Sequence, residues 1–388
     1  MFNPITIKGK QVEFSDSAEH VGILRSVDGN IPNIMNRISC HTKSLGATLS
    51  VGAARKHRAN PTVGLRIEQM YAMPVLLFGL ASLVLLESEM SLLEMHFKET
   101  CQILQKLIVK TPRGVVFFLG GCLPLRAMLH LRQLTLFGMV ARLDEDPLAV
   151  HARHILSQGR PSSKSWFWQI RDICLLYNLK HPLELLETPP AKETYRRLIK
   201  SHVISYWENK LRGEAAPLLS LSYFHPSFMS LVKPHPIWTT VGSNPFEVTK
   251  AIQQARFLSG QYRSESLGSH WSTNTNGYCL APTCNTTVET FEHILTECAS
   301  YRETMRNLCN LWLSVSNPHV LILVLDALCD DKEYFMQFFL DCSVLPSVIL
   351  ATQRHGTSIL EKLFYLTRTW CYAIYRKRMK NLGRWNFQ

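Results

Sequence analysis

Apolar residues recur along most of the chain at spacings of three and four, the period of helices that bury one stripe. Across residues 34–58, Ile34, Ile38, Leu45, Leu49 and Ala53 fall near one such stripe, and the run ends on Arg55, Lys56, His57 and Arg58. Basic residues there suit a helix C-terminus. Pro61 opens a second run through Ile67, Tyr71 and Leu77, with a kink expected at Pro74, which has no N–H to give to the helix ladder. Residues 92–109 repeat the pattern with Leu93, Phe97, Ile103, Leu104 and Leu107, and residues 124–143 repeat it again. From about residue 158 to 270 the pattern breaks: linker signals at 159–165 and at Pro189-Pro190 surround helices expected near 166–178 and 191–212. Residues 213–245 carry prolines and serines and little periodicity, which reads as a long connection. The last third resumes helices and closes with one over 358–382, whose final turns hold Arg376, Lys377, Arg378 and Lys380. Strand signals are thin, and there is no internal repeat.

Composition supports a folded chain. Of 388 residues 46% are apolar, 19% charged and 10% aromatic, the reverse of a disordered signature. The balance of 42 Lys plus Arg against 30 Asp plus Glu gives +12, which suits a polyanionic partner such as RNA or DNA. Eleven cysteines, an odd count spread mostly through apolar helical patterns, do not form a disulfide framework. The first 23 residues lack the apolar segment of a secretory signal, so a reducing, nuclear or cytoplasmic location is expected. Residues 70–86 run seventeen positions without a charge but hold Pro74, Gly79 and Ser82 and are followed by Glu87 and Glu89. The run is short for a bilayer, so a buried helix is expected and no membrane partner.

One constellation carries chemistry. Cys279, Cys284, His293 and Cys298 form C-x4-C-x8-H-x4-C in a polar loop, interleaved with Glu289, Glu292 and Glu297. Three thiolates and one imidazole are a tetrahedral set for structural Zn2+; with all four positions supplied by protein, no water is left to activate. Its binding energy would be folding energy for a segment short of core. His293 and Cys298 stand five apart, about 140° around an ideal α-helix, so the backbone must leave regular helix if both bind one ion.

The knuckle, followed by Tyr301 and Arg302, resembles the C-terminal zinc-binding region of non-LTR (LINE-type) retrotransposon reverse transcriptases. Residues 14–22 (F-S-D-S-A-E-H-V-G) resemble the last motif of that family's polymerase palm. Residues 70–98, with P-V-L-L-F-G at 74–79 and the helix L-L-E-M-H-F-K, resemble its thumb. The aromatic usual in the thumb element is Phe78 here, and the first two cysteines lie farther apart than is common. The resemblance covers about residues 12–310. It implies a C-terminal fragment: the aromatic-x-Asp-Asp hairpin and earlier aspartate that hold the metal pair for nucleotidyl transfer would precede residue 12. The only Asp-Asp pair, Asp330-Asp331, lies near the other end, and Asp330 with Glu333 three later reads as a helix N-terminal cap.

The expected fold is mainly α: a helical thumb-like bundle with a short N-terminal β-hairpin remnant, a zinc knuckle and a C-terminal helical region. By residue these are a palm remnant at 1–30, a thumb-like domain at 31–157, a helical connection and linker at 158–270, the knuckle at 271–310 and C-terminal helices at 311–388. The expected function is binding of RNA, DNA or both, with no catalytic centre and no small-molecule substrate. Arg55, Lys56, Arg58, Arg376, Lys377 and Arg378 are the candidate phosphate contacts, since Lys and Arg release counterions on binding. These residues also suit helix C-termini, and the knuckle's glutamates repel phosphate where only Arg302 attracts it. The alternative is a zinc-stapled protein-interaction module with no nucleic-acid role. No P-loop, dinucleotide, zinc-protease or nucleophile-elbow motif occurs. His151 with His154 reads as a solvated helical pair, and Trp166 with Trp168 as core or interface.

Overall fold

The computed structural model describes residues 6–7, 10–11, 15–50, 59–143, 146–158, 165–260, 277–279, 281, 284, 287–290 and 292–381. The described chain is mainly helical, with small antiparallel hairpins at its start: β1 (Thr6–Ile7) with β2 (Lys10–Gln11), and β3 (Ser17–His20) with β4 (Ile23–Ser26). The helices that follow are α1 (Ile31–Ser50), α2 (Pro61–Ile67), α3 (Met73–Leu76), α4 (Glu87–Gln105), α5 (Arg113–Gly120), α6 (Leu125–Val140), α7 (Pro147–Ser157), α8 (Trp166–Leu176) and α9 (Pro182–Glu187). Beyond them lie α10 (Lys192–Ala215), α11 (Pro236–Thr239), α12 (Pro245–Leu258), α13 (Arg302–Leu313), α14 (Pro318–Cys329), α15 (Lys332–Asp341), α16 (Pro346–His355) and α17 (Ser358–Asn381).

Several starts share one local cause. Asp146, Asn244 and Asn317 each precede a proline, and each side chain accepts a backbone N–H of the first turn, from Leu148, Phe246 and His319 respectively. The cap satisfies an orphan donor while the proline supplies a helical φ where no N–H is needed. Asp331, not Asp330, caps α15 by accepting from the Tyr334 amide; Asp330 accepts from the Asp331 amide.

Backbone contacts divide the chain into two compact units. The first comprises residues 1–51, 66–97 and 124–207. Its β3–β4 hairpin turns through Val21 and Gly22, both at positive φ (50° and 73°), the twist that two-residue hairpin loops favour. The Gly22 and Ile23 end packs on the 74–79 element: a Cβ on Gly22 would lie 3.1 Å from the Phe78 ring, and one on Gly79 would meet Ile23 Cγ1 at 2.6 Å. Arg37 lies with its guanidinium 5.0 Å from the Phe78 ring centre and donates to the Gly22 carbonyl. The expected kink at Pro74 is a single π turn over Glu68–Ala72, just upstream. Widening that turn moves the carbonyl at 70 away from the proline ring. Residues 70–86 are therefore short helical pieces ending in a 3-10 turn at Leu80–Ser82, not one apolar rod.

The core of this unit is the fully buried face of α6, with Leu129, Leu134 and Phe137. Gly138 lets the Tyr195 ring approach so closely that an added Cβ would sit 2.4 Å from it. Trp168 is buried with Arg171 over its face at 4.3 Å, and the half-buried Trp166 donates to the Ala81 carbonyl.

The second unit comprises residues 52–65, 98–123 and 208–388. Its centre is α12, buried on nearly every side from Val248 to Leu258, with α17 packed along it. Gln254 meets the polar demand there by donating to the carbonyls of Phe339 and Leu340 and to Thr367. A second focus is aromatic: Trp312 and Trp370 have ring centres 4.7 Å apart, flanked by Phe338 and Phe339. The aperiodic residues 213–245 are packed rather than free, since Leu221, Phe224, Leu231, Ile237 and Trp238 are buried and Trp238 donates to Gln105. Among the described residues one helical stretch, Lys332–His355, is long and apolar enough to cross a membrane; Met336, Phe338 and Phe339 within it are core residues.

Candidate metal centre

Cys279, Cys284, His293 and Cys298 converge: all four are buried, and one ligand atom from each lies within 4.8 Å of the others. Cys279 Sγ is 3.7 Å and Cys284 Sγ 4.0 Å from Cys298 Sγ. These separations are about twice a disulfide bond, and all three cysteines are free.

The local backbone explains the convergence. Gly277, at φ 78°, opens a tight loop whose ends are joined by a bridge between Tyr278 and Val288. Inside it the Cys279 amide donates to Thr287 O at 2.8 Å and the Cys284 amide to Ala281 O at 2.8 Å, which turns the first two sulfurs inward. The second pair comes from the next segment. The Thr290 hydroxyl accepts from the His293 amide at 3.1 Å. From His293 to Glu297 the backbone makes a π turn, closed by the Cys298 amide donating to His293 O at 2.8 Å. An α turn would set the two ligands about 140° apart. The i to i+5 closure, followed by extended backbone at Cys298 (ψ 118°), brings them to one side. The required departure from regular helix is thus met by a π turn.

The donor set fits a metal ion chemically. Both His293 ring nitrogens are buried and without a hydrogen-bond partner among the described residues; the Glu297 carboxylate stands 3.7 Å from Nδ1. A buried polar atom left unpaired is costly, and a metal is one way to satisfy it. Burial, with the neighbouring thiols, pushes Cys298 up to about 12, and burial also raises Cys279. Burial makes thiolates costly at these positions, as it does for other buried cysteines of the chain, so a bound cation would have to offset that cost. All four positions would be filled by protein, leaving none for a reacting water.

Surroundings tie the centre into the second unit. Glu289 is buried and paired with buried Arg378 of α17. This corrects the expectation that Arg378 contacts phosphate: its side chain is 6% exposed and is spent on Glu289. Of its neighbours Arg376 is exposed and Lys377 half-buried. Arg55, Lys56 and Arg58 lie outside the described residues. Glu297 pairs with Lys332, and the Lys332 hydrogen bond holds its carboxyl below the usual range.

Two polar networks of the first unit were not anticipated. Glu68, in its π turn, bonds His41, which bonds His96 (3.0 and 2.9 Å). Tyr177 accepts from Trp207 and donates to His130 Nδ1 at 2.8 Å. Their members are scattered through the chain, so no local spacing marks them. No family model matches the sequence, and no curated protein or solved structure is significantly similar to it.

Proposed function

We propose that this chain is the nucleic-acid-binding C-terminal part of a retrotransposon-type RNA-directed DNA polymerase, stapled by a structural Zn2+ and lacking the catalytic aspartates. The observation that carries the reading is the packing of Gly22 and Ile23 on Phe78 and Gly79. The two stretches that separately resemble the end of the palm and the thumb are neighbours in the first unit, the arrangement a palm-to-thumb junction would need.

Zinc is supported by the donor geometry. With Zn–S bonds of about 2.3 Å, the edge of a tetrahedron between two sulfurs is roughly 3.8 Å. The Cys298 sulfur stands 3.7 and 4.0 Å from those of Cys279 and Cys284. Three cysteines and a histidine with no open position make the ion a folding element, which would hold the 277–298 segment against Arg378. Zn2+ would hold the knuckle rather than act on substrate.

Nucleic-acid binding is supported by the +12 balance, since Lys and Arg release counterions on meeting a phosphate backbone. Arg55, Lys56 and Arg58, with Arg376 and Lys377, are the contacts we assign; Arg378 is removed from that set. Asp331 caps a helix by accepting from the Tyr334 amide and Asp330 accepts from the Asp331 amide, which supports reading this pair as local structure rather than as a metal-holding pair. The test is a gel-shift titration of the purified chain against single- and double-stranded RNA and DNA at several salt concentrations. Binding should weaken with salt, and neutralising Arg55, Lys56 and Arg58 together should flatten the slope by about two to three phosphate equivalents. Absence of binding at low salt, with zinc retained, would instead favour a zinc-stapled protein-interaction module.

A further inference from the structure

We propose that a cleft in the second unit holds one unstacked nucleobase of a single strand; this rests on the nucleic-acid reading above and names a site for it. The cleft has a volume of about 330 Å³, enough for a planar base but small beside most drug-sized pockets. Its apolar wall includes Phe118, Met229, Val348, Ile349 and Leu360. Phe228 stands at the wall, 62% exposed on a 3-10 turn over Pro226–Phe228. An aromatic ring so placed is a stacking surface, and every base offers it a π face.

Polar groups around the cleft have unused capacity. Thr352 Oγ1 is buried and without a hydrogen-bond partner among the described residues, although its side chain lines the cleft. Gln353, also lining it, is exposed and carries an amide that can donate and accept, as base edges require. Lys233 is exposed at the same cleft and has no ion pair among the described residues, which places a cation where the strand's phosphate would pass. By contrast His235 and Ser343 are committed: Nε2 of His235 meets Asp341 at 3.1 Å, Nδ1 accepts from the Ile237 amide, and the Ser343 hydroxyl donates to Asp341. They shape the wall and leave recognition to Phe228, Lys233, Thr352 and Gln353.

The combination of exposed ring, orphan hydroxyl, amide and unpaired ammonium matches a nucleotide unit better than a lipid or a peptide side chain. A duplex cannot enter, because its bases are stacked and paired; single strands and loops can splay one out.

The wall is seated by the backbone. Gly121 has φ +60°, and a Cβ there would lie 2.2 Å from the Lys233 carbonyl carbon, so the 228–236 loop rests directly on the end of α5. The His235 amide donates to Leu119 O at 3.0 Å at the same place. Phe228 and Lys233 are therefore presented from a supported loop rather than a free one.

The full chain is titrated by fluorescence anisotropy with labelled twelve-residue single strands of RNA and DNA and with the matching duplex. Variants are Phe228→Leu, Phe228→Trp and Lys233→Gln, all at exposed positions where folding should be unaffected. Loss of one stacked base corresponds to roughly five- to a hundredfold in affinity. Phe228→Leu should therefore bind single strands at least about fivefold more weakly, while Phe228→Trp retains wild-type affinity. Lys233→Gln should lower the salt slope by about 0.7, one single-strand phosphate. Duplex affinity should be unchanged in all three. If the wild-type chain binds single strands and Phe228→Leu binds them equally well, the cleft is not the base site and this proposal falls while the nucleic-acid reading stands. If the wild-type chain binds no strand even at low salt, it is the nucleic-acid reading that falls, and the cleft assignment falls with it.

Discussion

The amide of Cys298 donates to the carbonyl of His293 across five residues, at 2.8 Å, and that one bond sets two members of the candidate Cys/His metal cluster side by side. Replacing either residue removes a donor and also the reason for the turn. Cys298→Ser and His293→Ala should each take the purified protein from one zinc per chain to none detectable by elemental analysis, whereas Cys309→Ser, outside the cluster, should keep it. Because such binding energy is folding energy, chelation should lower the melting temperature of the wild type and not of Cys298→Ser. Retention of a full zinc equivalent by Cys298→Ser would show that the four groups do not form the site.

Arg378 and Glu289 form a buried pair, and removing one partner leaves the other buried without the opposite charge that compensates it. Arg378→Met should cost about 3–5 kcal/mol in urea unfolding, and adding Glu289→Leu should recover much of it. A single variant with wild-type stability would mean the pair is solvated in solution. The same variant leaves the exposed Arg376 in place, so its effect should be on stability and not on the salt slope of nucleic-acid binding.

His130 is buried, and burial, with Arg126 close by, holds it down to about 3. Its Nδ1 accepts from Tyr177, so the folded protein keeps the ring neutral. An unfolded histidine takes a proton near pH 6.5. Between that pH and about 3 the unfolded state binds the extra proton, so stability falls as pH falls, by about 1.4 kcal/mol per unit for this one group. His130→Gln should have a shallower dependence than the wild type when urea midpoints are compared at pH 7 and 5. Equal slopes would place the titrating group elsewhere.

Two glycines should respond in opposite directions. Gly121→Ala forces a side chain into a left-handed position and against the Lys233 carbonyl carbon, at 2.2 Å, and should cost more than about 2 kcal/mol. Gly213, inside α10, has nothing within 4 Å of an added Cβ, and Gly213→Ala should stabilise by about 0.4–1 kcal/mol. Thermal melts of the two variants beside the wild type decide both.

Helical character and the Cys/His cluster were legible in the sequence because each depends on neighbours a few positions away. The stripe from Ile34 and the C-x4-C-x8-H-x4-C spacing are of this kind. Even the need for distorted backbone between His293 and Cys298 follows from the angle per residue. α12 escaped that reading: it is buried on nearly all sides, with Gln253 and Gln254 in its core, so it has no polar face to reveal a period. The packed course of residues 213–245 escaped it too, since Trp238 finds its partner at Gln105, far away in sequence.

The basic cluster at the C-terminus shows the division most clearly. Sequence determined that Arg376, Lys377 and Arg378 end a helix and carry positive charge. Only the tertiary structure decided that Arg378 turns inward to Glu289 while Arg376 stays in water, because one position along a helix rotates a side chain by about 100° and the neighbouring segment selects which face is buried. The cleft beside Phe228 is likewise tertiary: its walls come from chain stretches more than a hundred residues apart, and no local spacing records how such stretches meet.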